Sequence, residues 1–193
     1  MEGVNMRYKN NRGFTLPEVL ITTTIMLLII TVGVPSFKRY QEKTEAKADI
    51  SNLRSIIMFA RSYAITQSKY ITVCGMPSAG HCSKDWTSSL TAFIDTNRNH
   101  RLDPEEVVIQ RTGNMDTKYK EVRYNRKALS FFPSGRATRA AGSLSYCFKT
   151  DPPHSKAYVI GTSGRIRQGK DRNKNGVEET GNNQDIPCKP LTS

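Results

Sequence analysis

The chain has 193 residues, with 29 lysines and arginines against 17 aspartates and glutamates, and a formal net charge of +12. That length allows one domain of ordinary size plus a long helix. The charge favours nucleic acid, anionic lipid or acidic partners, with plain solubility as the bland alternative. A zinc site is excluded, because no C-x2-C pair exists and His81, His100 and His154 are scattered. No nucleophile elbow or other catalytic signature appears, so no enzyme activity, metal or cofactor is expected.

Arg7, Lys9 and Arg12 precede an apolar run from Phe14 to Val34, 21 residues in which Glu18 is the only charge. As a helix this run spans about 31 Å, the thickness of a bilayer core. A cleaved secretory signal has a shorter apolar core with its small residue behind it. Here Gly13 stands in front, so a cut there leaves the run on the mature protein. Gly13, Phe14, Thr15, Leu16 and Glu18, followed by Pro35, resemble the start of a type IV prepilin. The resemblance implies cleavage after Gly13 by a membrane prepilin peptidase and N-methylation of Phe14. It also implies a role in assembly for Glu18. A carboxylate in a membrane segment usually has a partner, and the family supplies the α-amine of a neighbouring subunit's Phe14. The other reading of Glu18 is an interfacial carboxylate reaching to water.

Helical periodicity continues past Pro35 to about Thr66. Ala46, Ile50, Leu53, Ile57, Ala60 and Ala64 form one apolar stripe, with Arg39, Lys43, Lys47 and Asp49 off it. Gly33 and Pro35 predict a kink or local melting between the two halves. From Lys69 onward the pattern changes to short strands: YITVCG, SLTAFID, EEVVIQ, YKEVRY, LSFF, SLSYCF and KAYVIG, separated by turn signals. The fold class expected is α+β, a long helix packed on an antiparallel β head of two small sheets. Four cysteines in an exported chain predict two disulfides. Three pairings are possible. Cys74 and Cys82 bracket a short Gly/Pro/Ser-rich loop, which favours a local bridge and leaves Cys147 with Cys188.

The head stretches FIDTNRNHRLDPEEVVIQ (93–110), FFPSGRAT (131–138) and GTSGRIR (161–167) resemble the FimT/FimU/pseudopilin-H branch of minor pilins. Gly164-Arg165-Ile166-Arg167 matches the GRxR motif of FimT proteins, which bind DNA in natural transformation. The residues of the tail argue the same way. Nine basic residues against two acidic ones lie between Arg136 and Lys174. In an extended segment Arg165 and Arg167 point to one side, about 6.6 Å apart along the chain, and Lys170, Arg172 and Lys174 repeat that spacing. No aromatic residue lies between Gly161 and Ser193, so phosphate contact without sequence preference is expected rather than base stacking. The loop DTNRNHRLDPEE places Asp95, Asn97, Asn99, Arg101, Asp103 and Glu106 at EF-hand-like positions. His100 sits where a glycine is wanted and the flanking helices are missing, which favours a hydrogen-bonded turn over calcium binding.

The expected organisation is a leader (1–13), a transmembrane half-helix (14–35), an amphipathic half (36–68) and a β head with a basic tail (69–193). The expected home is the bacterial inner membrane and then the pilus, with the head in the periplasm or outside. The expected partners are other pilins and DNA, the latter through Gly164, Arg165, Arg167, Lys170, Arg172 and Lys174. The alternative is a structural tip or priming pilin, FimU-like or of a type II secretion system, without DNA binding. A third reading is an adhesin for anionic glycans or lipids.

Overall fold

The structure, a computed structural model, describes residues 13–77, 80–87, 89–113, 115, 117–137, 139–149, 154–175, 177–180, 184–186 and 188, without the side chains of Pro35, Arg39 and His154. The element order is α1 (Leu16–Thr66), β1 (Ile71–Gly75), β2 (Leu90–Ile94), β3 (Val108–Arg111), β4 (Lys120–Tyr124), β5 (Leu129–Phe131), β6 (Gly142–Phe148), β7 (His154–Ile160) and β8 (Ile166–Gln168). The chain divides into two compact units, Met1–Glu42 and Lys43–Ser193. Of the expected leader, only Gly13 falls within the described residues.

In the first unit, the amides of Glu18 and Val19 donate to the carbonyl of Thr15 at 3.1 and 3.2 Å. The Thr15 amide in turn faces Glu18 Oε2 at 3.5 Å. This is one half of a T-x-x-E capping box, so Glu18 has a local role at the helix start. The apolar side chains that follow are exposed, on a helix long and apolar enough to cross a membrane by length and composition. The hydroxyls of Thr22, Thr23, Thr24, Thr31 and Ser36 each donate to a carbonyl three or four residues back. Those bonds satisfy them without water, as an apolar surrounding requires. The helix runs unbroken through Gly33 and Pro35, so the local melting expected there does not occur.

In the second unit, the C-terminal half of α1 packs on two four-stranded sheets, ordered β3-β2-β1-β5 and β4-β6-β7-β8. Every pairing in them is antiparallel. The helical stripe Ala46, Ile50, Leu53, Ile57, Ala60 and Ala64 is buried, and Ile56 joins it. It meets Val73, Leu90 and Leu129 from one sheet and Val122, Leu144, Tyr146 and Ile160 from the other in one continuous core. Trp86 stacks on Tyr124 at 4.6 Å between ring centroids, both fully buried. YITVCG reads as an alternating strand, but β1 is buried at all five positions. Its outer face is covered by a second small cluster of Cys74, Met76, Phe93 and Ala128. The Cys74–Cys82 disulfide closes the loop over that face, and Cys147–Cys188 ties the C-terminal segment to β6.

One buried cation fastens the helix to the second sheet. Lys120 Nζ lies 2.6 Å from Glu45 Oε1 and 2.7 Å from Asp49 Oδ2, and the Tyr146 hydroxyl donates to Asp49 at 2.8 Å. Burial alone pulls the Lys120 pKa down, but Asp49 and Glu45 together outweigh it and leave the value raised. Burial, then the Asp49 hydrogen bond, raises the pKa of Tyr146. Replacing Lys120 by Met leaves Asp49 without its cation. A loss of about 2–3 kcal/mol is expected in urea unfolding, less than for a fully enclosed pair because Glu45 stays exposed. Because the folded-state pKa is raised, the gap between the two proteins is full below pH 10.5 and fades as the pH climbs through that raised value.

Candidate nucleic-acid interface

The basic tail begins on a hairpin. β7 and β8 pair through Ile160–Ile166, Val159–Arg167 and Tyr158–Gln168, and the chain turns between them over 161–165. The Gly164 amide donates to the Gly161 carbonyl at 2.8 Å and the Gly161 amide to the Arg165 carbonyl at 3.0 Å. Gly164 sits at φ +75°. This is a type I turn closed by a glycine bulge. The stretch after β5 repeats it: the Gly135 amide donates to Phe132, the Phe132 amide to Arg136, at 2.7 and 2.9 Å, with Gly135 at φ +72°. Both turns read Ser-Gly-Arg, and both place the arginine just after the left-handed glycine.

The two turns touch. The Ala137 amide donates to the Thr162 carbonyl at 3.0 Å, and a Cβ on Gly164 would fall 2.0 Å from the Gly135 carbonyl oxygen. Arg61 of α1 locks the pair, donating from Nε to Gly135 O at 2.9 Å and from Nη2 toward Ser163 O at 3.4 Å. A groove of about 400 Å³ lies beside this lock, lined by Arg54, Met58, Arg61, Ile65 and Arg165 among others. Sequence reading missed both helix arginines. On the helix they look like two more polar positions off the apolar stripe, and only the fold shows one of them holding two loops.

Arg165 and Arg167 flank half-buried Ile166, and both are exposed, as two positions of an extended segment require. Lys170, Arg172 and Lys174 do not continue that spacing. After Gln168 the chain leaves the strand and enters a closed D-x-N-x-N loop. The Asn175 amide donates to Asp171 Oδ1 and Asn173 Oδ1, and the side-chain amides of Asn173 and Asn175 donate to Asp185. Lys174 takes φ +61° there. The loop DTNRNHRLDPEE is built on the same plan, with Asp95 accepting the Asn99 amide, Asp103 accepting from Asn97 and Asn99, and Arg98 at φ +61°. Those two amides hold the Asp103 carboxyl below its usual range. Asp95 itself is fully buried and bonded to Thr72 Oγ1 at 2.6 Å. Both oxygens of Glu106 accept backbone amides, from Thr96 and Asp103. No cluster of three or more His, Cys, Asp or Glu side chains suited to a metal occurs among the described residues.

The segment beyond the second loop is acidic and folds back on the hairpin. Buried Glu178 accepts from Lys156 Nζ at 2.6 Å, the Ala157 amide at 2.9 Å and Gln168 Nε2 at 2.8 Å. Buried Glu179 lies 3.9 Å from Arg172 Nε, and Lys149 pairs with Glu121 at 3.3 Å. Three cations of the basic tail are therefore matched by carboxylates. Among the described residues no carboxylate pairs with Arg165, Arg167, Lys170 or Lys174, and all four are exposed.

A long N-terminal helix whose second half packs on two antiparallel sheets is the type IV pilin fold. The chain aligns with a crystal structure of the type IV minor pilin FimU of Pseudomonas aeruginosa (strain PAO1). The TM-score is 0.55 and the identity 18%, over 68% of this chain and 92% of that one. A second crystal form of that protein aligns with TM-score 0.49 and 18% identity, over 64% and 92%. No curated protein matches the chain in sequence. The prokaryotic N-terminal methylation motif matches residues 8–34. The chain belongs to the family described as type II transport protein GspH, which it matches over residues 49–164, more than half its length.

The glycines of the hairpin separate by a simple test. Gly164→Ala puts a side chain on a left-handed backbone and against a carbonyl oxygen, and should cost about 2–3 kcal/mol in thermal or urea unfolding. Gly161→Ala meets no atom closer than 3.8 Å and should stay within about 1 kcal/mol of the unaltered protein.

Proposed function

We propose that this protein is a minor pilin that binds extracellular DNA through the β7–β8 hairpin, without sequence preference, for uptake in natural transformation. The observation that supports it best is the set of exposed cations Arg165, Arg167, Lys170 and Lys174, which no described carboxylate neutralises, on and just after a turn locked by Arg61. Guanidinium forks suit phosphate oxygens. Arg172, paired with Glu179, contributes less. Before assembly the chain sits in the inner membrane, cut after Gly13 by a prepilin peptidase and methylated on Phe14. Glu18 then meets the amine of the neighbouring subunit's Phe14 as the helices pack into a filament. Gly164 contributes by letting the hairpin turn lie against Gly135 and Arg61, which fixes where Arg165 begins.

Full-length protein in detergent, titrated with a short random duplex across a salt series, tests this. Engagement of four to six phosphates gives a log–log slope of about −4 to −5. Arg165→Gln with Arg167→Gln should abolish most of the affinity while the unfolding midpoint is kept. A flat salt response, or full binding by the double variant, sinks the reading. The alternative is a tip or priming pilin whose basic face contacts another pilin. It has support in the exposed Met58, Phe59 and Ile65 of α1, two of which line the groove beside Arg165. Under that reading the double variant loses filament assembly or secretion.

A further inference from the structure

A second basic pocket is lined by no residue of the β7–β8 hairpin, and neither the resemblance nor the tail reading assigns it. It has a volume of about 420 Å³, and Tyr70, Arg98, His100, Lys127, Phe132 and Arg139 are among the residues that line it. No carboxylate among the described residues lines it. Asp95, which opens the loop carrying Arg98 and His100, is fully buried and accepts from Thr72, Asn99 and His100. The pocket is therefore positive without compensation.

Its aromatic content separates it from the tail. Tyr70 and Phe132 meet edge to face at 5.1 Å between centroids. The Arg98 guanidinium lies 5.1 Å from the Tyr70 centroid and 5.6 Å from that of Phe132. This holds one planar cation among rings at the pocket wall. Arg126 is fixed through its Nε bond to the Ala141 carbonyl at 2.6 Å. Lys127 and Arg139 are exposed, with no ion pair among the described residues.

Backbone strain is concentrated at the same place. Five described non-glycine residues have positive φ, and three of them, Arg98, His100 and Arg139, line this pocket. Such conformations persist only where the surroundings over-determine them, and they cluster at ligand clamps and active sites.

We infer that this pocket binds an unpaired nucleotide of a single-stranded nucleic acid, its phosphate on Lys127 and Arg139 and its base against the Tyr70–Arg98–Phe132 wall. Positive charge without carboxylates selects a phosphate, and flat rings beside a guanidinium select a base, the two elements of single-strand recognition. A duplex keeps its bases stacked inside and gains nothing from the rings. Phe132 opens the first Ser-Gly-Arg turn, whose backbone touches the hairpin turn at Gly164, so the pocket and the hairpin are joined through residues 132–136. The inference shares with the proposed function the premise of a nucleic-acid ligand but places it at a different site.

The test uses full-length protein in detergent, with a short oligothymidylate, a random duplex and heparin as separate probes. Lys127→Gln with Arg139→Gln should weaken oligothymidylate roughly tenfold or more and change duplex binding less than twofold. Phe132→Leu, which keeps an apolar side chain, should weaken oligothymidylate several-fold and leave heparin unchanged, since only a base loses its stacking partner. If Phe132→Leu lowers the unfolding midpoint, the cation pair decides. Equal losses on all three probes, or no loss on oligothymidylate, overturn the inference while the hairpin reading stands on its own variants. Oligothymidylate binding that depends on Lys127 and Arg139, without duplex binding, upholds this site and removes the other. No binding by the unaltered protein to either nucleic acid removes both.

Discussion

One face of one helix serves as the core for two sheets. Leu53, Ile56, Ile57, Ala60 and Ala64 are wholly buried, and the core continues from them into strands of both four-stranded sheets. Small residues at positions 60 and 64 let the sheets approach, and branched residues one and two turns earlier fill the wider space. The polar network around Lys120 sets the rotation of the helix over the second sheet, because Glu45 and Asp49 share one face and converge on a single ammonium. Arg61, three turns further on, does the same for the loops. Apolar contacts hold the helix down, and three charged side chains decide which way it faces.

That division explains what could be read from the sequence. Helical period made the stripe from Ala46 to Ala64 visible, since each of its residues is buried for the same geometric reason. The strands from β1 to β7 were marked by branched and aromatic residues between turn signals. β8 was not, because a three-residue strand ending in Arg167 and Gln168 is extended only by virtue of its pairing with β7. The burial of all five β1 residues was invisible too, since the cluster over its outer face draws in Phe93, Leu102 and Ala128, distant in sequence.

The candidate interface was legible only in part. Arg165 and Arg167 stand out as a dense cationic pair, and their exposure fits the pattern. The even spacing of Lys170, Arg172 and Lys174 misled, because alternation has meaning only in extended backbone and this stretch closes into a loop. Charged residues that end up buried or committed gave no signal. Lys120, Glu178, Glu179 and Arg61 look in the sequence like ordinary surface residues. The pocket around Tyr70 and Phe132 draws on three separate stretches of chain, so no local window contains it.

The Cys147–Cys188 bridge has a consequence for when the electrostatics of the hairpin are settled. It closes a loop that holds β7, β8 and the acidic strap bearing Glu178, Glu179 and Asp185, with a sequence separation of 41. Chain-entropy arguments give such a closure about 4 kcal/mol, available only where thiols oxidise. In a reducing compartment the strap is held only by its hydrogen bonds, its ion pairs and the buried Ile186. Oxidation therefore does more than brace the C-terminus, for it fixes in place the carboxylates that neutralise Lys156 and Arg172, and so sets the final charge of the face that carries Arg165 and Arg167.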